Sequence, residues 1–146
     1  MKPVRFLLLG CLFALSGVPS ASAADEASWA DGIVVRANFT SGVTDREPVD
    51  SLSDVANEQR TVTFFTELRN MSGESISHRW EYKGQVMADV PFRVGGPRWR
   101  VWSTKNLNDF WLGEWTVSVV AADGSVLESK SFYYAGPEPA AANATD

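Results

Sequence analysis

From residue 33 onward, apolar residues recur at alternate positions or in short runs closed by turn residues. Period two marks a strand with one buried face, because successive side chains point to opposite sides of a pleated chain. Residues 33–40 predict a first strand through Val34, Val35 and Phe39, and residues 61–69 a second in which Val62, Phe64 and Leu68 share a face. Residues 75–82 place Ile76, His78, Trp80 and Tyr82 on one side. Residues 85–94 alternate as Val86, Ala88, Val90, Phe92 and Val94, and Pro91, which has no N–H to donate, assigns this strand to an edge or a bulge. A fifth strand over 98–105 puts Arg98, Arg100, Trp102 and Thr104 on one face and Trp99, Val101 and Ser103 on the other. Residues 114–121, with Trp115, Val117, Val119 and Ala121 in register, and 125–134 complete the series. Residues 70–73, Lys83-Gly84, Gly95-Gly96-Pro97 and Asp123-Gly124 supply turn chemistry between them.

No segment carries a sustained helical period. Residues 41–60 read as a long polar connection with at most one helical turn, over 49–56, and residues 106–113 as a loop holding Phe110 and Trp111. Seven strands at this spacing, with hairpin turns and an aromatic core, predict an immunoglobulin-like antiparallel β-sandwich over residues 32–135. A small open barrel is the alternative. Residues 24–31 form an acidic lead-in, and residues 136–146 a Pro/Ala tail without apolar periodicity, expected to be disordered.

The N-terminal pattern differs in kind. Lys2 and Arg5 precede an uncharged apolar run from Phe6 to Val18, and Ala21-Ser22-Ala23 ends a stretch of small residues. This is the form of a signal peptide over residues 1–23, and the run is too short for the roughly 20 apolar residues of a membrane span. Leu8-Leu9-Gly10-Cys11 also has the shape of a lipoprotein processing site, but its apolar segment would be cut short at Gly10 while the run continues to Val18. Cleavage after Ala23 is therefore the expectation, with the mature protein periplasmic or secreted in a bacterium and not inserted in the membrane. Cys11, the one cysteine among 146 residues, would leave with the leader, so the domain must fold without disulfides. No Asp or Glu precedes Asp25, so loss of Lys2 and Arg5 takes the net charge from −5 to −7. An acidic domain lacks the broad positive field that nucleic acid requires, and nucleic acid is not an expected partner.

Among residues that could carry chemistry, His78 is the only histidine. A catalytic reading would join it to Glu67 or Glu81 and to Ser77 or Ser103. Alternation puts Ser77 and Glu81 on the opposite face of its strand, and a partly buried histidine that holds a strand pairing is the expectation. One His and no mature Cys leave too few ligands for zinc. Asp45, Glu47, Asp50, Asp54 and Glu58 in the 41–60 connection do not have EF-hand spacing and read as a solvated acidic loop; no metal and no cofactor is expected. The triplets beginning at Asn38, Asn70 and Asn143 match glycosylation sequons, of little meaning in a bacterial exported protein.

The basic and aromatic residues are more informative. Arg98, Arg100 and Trp102 share a face, Arg79 lies on the odd face of the third strand, and Trp111 sits in a loop. If these surfaces coincide, guanidinium groups interleave with indoles, a combination suited to carboxylates, phosphates and sugar rings. The structural alternative is a cross-strand ladder of arginine with Glu67, Glu81 and Glu114. Of the six tryptophans, Trp80, Trp99 and Trp115 fit core positions, and Trp29, Trp102 and Trp111 do not.

The runs Phe64 to Asn70, His78-Arg79-Trp80-Glu81-Tyr82, Gly95 to Ser103 and Gly113-Glu114-Trp115-Thr116-Val117 resemble a bacterial family of small domains of unknown function, family two-nine-one-four. The resemblance spans residues 34–134 and implies a secreted single domain or a terminal module of envelope proteins. It brings no catalytic residues with it. The reading that follows is a non-catalytic binding or adaptor module of the cell envelope. It would contact a protein or polysaccharide through Arg79, Arg98, Arg100, Trp102 and Trp111. The alternative is a periplasmic hydrolase with a carboxylate site in the 41–60 loop.

Overall fold

The computed structural model describes residues 32–56 and 58–136. The expected signal peptide, the acidic lead-in with Trp29, the Asn143 triplet and all but the first residue of the Pro/Ala tail lie outside the described residues. Among the described residues ten strands follow one another: β1 (Ile33–Thr40), β2 (Val43–Thr44), β3 (Glu47–Pro48), β4 (Asp54–Val55), β5 (Thr61–Arg69), β6 (Ser75–Tyr82), β7 (Gln85–Arg93), β8 (Arg98–Asn106), β9 (Gly113–Ala121) and β10 (Val126–Tyr134). Seven are eight or nine residues long and correspond to the seven expected from periodicity. The fold is an all-β sandwich. One sheet has the order β1-β5-β8 and the other β4-β10-β9-β6-β7. In the seven long strands this is the immunoglobulin-like arrangement, first, second and fifth strands against third, sixth and seventh, with the fourth on the larger sheet beside the third.

The core lies between the sheets. Phe39, Phe64 and Leu68 meet Ile76, Trp80, Trp115, Val117, Val119 and Phe132, all of them buried. The aromatic rings interlock: Phe39 meets Phe132 edge-on at 4.7 Å, and Trp115 stacks on Tyr82 at 4.9 Å and on Phe132 at 6.1 Å. Such pairs add to the burial of large apolar area and let the core dispense with disulfides.

Two-residue turns behave as their chemistry demands. Lys83 and Gly84 both take positive φ, and Tyr82 pairs with Gln85 across them. The 41–60 connection departs from expectation. Its described residues contain no helical turn. It forms the β2–β3 hairpin, and then β4 joins the edge of the larger sheet parallel to β10, with Leu52 bridged to Phe39. Asp50 closes the loop by accepting from the Thr40 hydroxyl at 2.7 Å and the Ser41 N–H at 2.7 Å. The long polar segment thus satisfies its backbone through sheet edges and side-chain caps.

A second departure lies on β7. A bulge between Trp80 and Glu81 shifts the register, so Val86 turns outward and Met87 packs against the core. Pro91 lies on β7, an edge strand, as its missing N–H requires.

Candidate binding site

The outer face of the small sheet is built by the alternation of its three strands. On β5, even-numbered residues enter the core and odd-numbered ones face outward, yet Phe65 and Glu67 on the outer side are buried as well. Their covers come from the neighbouring strands. Phe65 pairs with Trp102 of β8, whose indole lies nearly parallel to it at 6.4 Å, while the Arg36 guanidinium sits 5.1 Å over the same ring. Glu67 pairs with Arg36 on one side and Arg100 on the other.

Glu67 gathers four arginines. Its carboxylate accepts from Arg98 Nε at 2.7 Å, Arg36 Nη2 at 2.8 Å, Arg69 Nε at 3.2 Å and Arg100 Nε at 3.3 Å. Glu47, beside the β2–β3 turn, accepts from Arg36 Nη1 at 2.8 Å and forms an ion pair with Arg100 Nη2 at 2.9 Å. Hydrogen bonding from Arg98, then from Arg36 and Arg100, holds the Glu67 carboxyl down at about 2 against the cost of its burial. The hydrogen bond from Arg36 likewise holds Glu47 below the ordinary carboxylate range. The carboxylates are fixed, ionised anchors that orient the guanidinium groups.

Beside this network opens a cleft of about 250 Å³ lined by Arg46, Arg98, Trp99, Arg100 and Trp102. Trp102 is 39% exposed and Trp99 36%. The exposure of Trp99 corrects its assignment to the core. It stands at the start of β8, where its ring covers Gly95 so closely that an added Cβ would lie 2.7 Å from Cη2. Arg46 reaches the cleft from the β2–β3 turn, where Asp45 (φ 51°) and Arg46 (φ 62°) both occupy the left-handed region without a glycine.

The expected site residues therefore divide. Arg98, Arg100 and Trp102 come together as alternation implied. Arg79 does not join them. It lies on β6 of the other sheet, hydrogen-bonded to Asp89 at 3.2 Å. Trp111 does not join them either. It packs half-buried on the core, edge-on to Trp115 at 5.7 Å, with the Lys105 ammonium 5.6 Å over its ring. Arg36 and Arg69 belong to the network and Arg46 lines the cleft beside it; none of the three was anticipated. Arg69 was legible from the odd face of its strand, but Arg36 required the cross-strand register and Arg46 the path of the hairpin. Of the anticipated ladder partners only Glu67 is present, since Glu81 and Glu114 are on the larger sheet.

His78 is fully buried between the sheets, and it pairs across them rather than along a strand. Its Nδ1 lies 2.9 Å from Ser103 Oγ and its Nε2 3.0 Å from Thr66 Oγ1. Ser103 also accepts from Trp80 Nε1 at 3.0 Å, and Thr66 donates to the Val101 carbonyl at 3.4 Å. The accounting closes when Ser103 donates to Nδ1 and Nε2–H donates to Thr66. Burial pushes the imidazole down to about 3, so it is neutral. Ser103 and His78 do meet, as the catalytic reading required, but the third partner is a threonine and no solvent reaches the ring.

With the buried His78–Trp80–Ser103 network and the β8 face described, the motifs have a place in the fold. Residues 73–134 match DUF2914, a family described as a protein of unknown function. The DUF2914 match covers β6 to β10, and with them Arg98, Arg100, Trp102 and the whole imidazole network except Thr66. Arg46, Glu47 and Glu67 lie outside the matched segment. No curated protein matches the chain.

Proposed function

We propose that this protein is a non-catalytic binding module of the bacterial cell envelope, exported by its N-terminal leader, that engages a protein or glycan partner through the outer face of the β1-β5-β8 sheet. One observation carries this reading: an open cleft in which the exposed Trp102 stands beside the guanidinium groups of Arg98 and Arg100, positioned by Glu67 and Glu47, with Arg46 reaching its wall from the β2–β3 turn. Pre-oriented arginines and exposed tryptophans are the side chains that dominate recognition surfaces. Hydrolysis has less support. His78 is sealed in the core, Asp50 is occupied in closing a loop, and both Glu47 and Glu67 are held ionised, leaving neither as a proton donor.

The test is retention of envelope material, fractionated into protein and polysaccharide, on immobilised protein. Wild type should retain a defined fraction, and the double variant Arg98→Ala, Trp102→Ala should lose it while still unfolding cooperatively. Equal retention by the variant overturns the assignment of the face. Secreted protein should also show an intact mass beginning at Ala24; an acylated product beginning at Cys11 would place the module on a membrane instead.

A further inference from the structure

We propose that the cleft binds an acidic sugar residue, one carboxylate-bearing unit of an anionic polysaccharide. This deepens the binding role proposed above and rests on it. Charge comes first. Arg36, Arg69, Arg98 and Arg100 share two carboxylates, Glu47 and Glu67, and so remain in cationic excess. Arg46 makes no hydrogen bond or ion pair with any described residue, and Asp45, its neighbour in the turn, is not among the residues lining the cleft. A guanidinium with its planar fork unused, on the wall of a cleft, is complementary to a carboxylate. The chain holds that arginine at φ 62°, a conformation that favours glycine or asparagine, so the local backbone preference is overridden at the residue that reaches the cleft.

Shape and polarity select the sugar. Trp102, 39% exposed on the outer face of β8, offers a flat apolar face against which the C–H face of a pyranose ring packs. The cleft, at about 250 Å³, is smaller than the roughly 300–1,000 Å³ that encloses a drug-sized ligand, and suits a single ring. A protein partner is less well matched. The core of a protein interface is depleted in charge and rich in apolar area, whereas the outer positions of β5 and β8 carry Arg69, Arg98, Arg100, Thr104 and Asn106 around the Trp102 indole.

The experiment is a calorimetric titration of the full mature chain with three probes. These are tri-galacturonate, its fully methyl-esterified form, and a poly-glutamate peptide of matched charge. Tri-galacturonate should bind, with affinity falling as salt rises, and the neutral ester should bind about tenfold more weakly or not at all. Arg46→Gln and Trp102→Ala should each weaken tri-galacturonate binding by about tenfold or more, and Arg46→Lys should restore part of the loss. Equal binding of the ester overturns the requirement for an anion, and binding of the peptide as tight as that of the sugar overturns the sugar. If no probe binds while the Arg98→Ala, Trp102→Ala variant still abolishes retention of envelope material, the acidic sugar is wrong and the binding face stands. If that variant retains the material as wild type does, both readings fall.

Discussion

Glu67 carries a carboxylate almost wholly removed from solvent and surrounded by four guanidinium groups. Its pKa is lowered on folding, so its contribution to stability is complete above the unfolded value, near 4.5, and is lost as pH falls toward about 2. Glu67→Gln should destabilise the domain at neutral pH by about 1–3 kcal/mol. The arginine ends reach water, which keeps the cost below the roughly 3–5 kcal/mol of a fully buried pair. Denaturant unfolding should show the gap between wild type and variant closing between pH 4.5 and 2. His78 acts over a different window. Its folded pKa of about 3 lies below the 6.5 of the free side chain, so the unfolded state takes up the proton first and stability declines as pH falls from 6.5 toward 3. His78→Ala should cost about 3 kcal/mol, through a cavity and the orphaned Ser103 and Thr66 hydroxyls, and should flatten that slope. Arg100 has a double duty, bridging Glu47 and Glu67, so Arg100→Lys affects the shape of the site as well as the contact with a partner.

At the scale of elements, the two tight hairpins make a contrast. Lys83-Gly84 is legible because a glycine after a strand announces positive φ. Asp45-Arg46 adopts the same kind of turn with two residues that disfavour it, so residues 41–60 read as loop and their strands went unseen. Replacing the pair with Asn-Gly should raise stability by about 0.5–1 kcal/mol, measured by urea unfolding, while removing the Arg46 guanidinium and weakening ligand binding. β9 lies inside the larger sheet, and its alternation was read correctly: Trp115 is fully buried between Tyr82 and Phe132. Trp115→Ala should cost about 3–5 kcal/mol in the same assay. β7 shows the limit of alternation. Five apolar residues at even spacing implied one face, but a single extra residue at the bulge sends Val86 outward, and a bulge depends on the partner strand.

For the molecule as a whole, stability rests on two sheets closed over an aromatic core. Cys11 is the only cysteine and falls in the expected leader. Reducing agent should therefore leave the melting temperature of the mature protein unchanged; a fall would mean that Cys11 is retained and forms a disulfide between chains. The net charge of −5 is unevenly spread, for the outer face of the small sheet carries a cationic excess. An acidic body around a basic cleft repels anions in general and admits one only where the guanidinium groups converge, which favours specificity over raw affinity.

The sequence by itself determined the seven long strands, because the two-residue period is a local property of a pleated chain and survives without any knowledge of neighbours. It also determined the facing of β8, and with it the company of Arg98, Arg100 and Trp102. Which strands lie side by side is not local. Arg79 has the same outward alternation as Arg100, yet the sandwich places them on different sheets, since a face is shared only by strands that pair. His78 illustrates the same division. Alternation turned it inward, but only the stacking of the two sheets brought Thr66 and Ser103 to its nitrogens and made its burial satisfied and neutral. The cleft itself exists because register sets Glu67 beside three strands' worth of arginine and the hairpin delivers Arg46 to its wall. Both are contacts between residues far apart in the chain, decided by packing after the strands had formed.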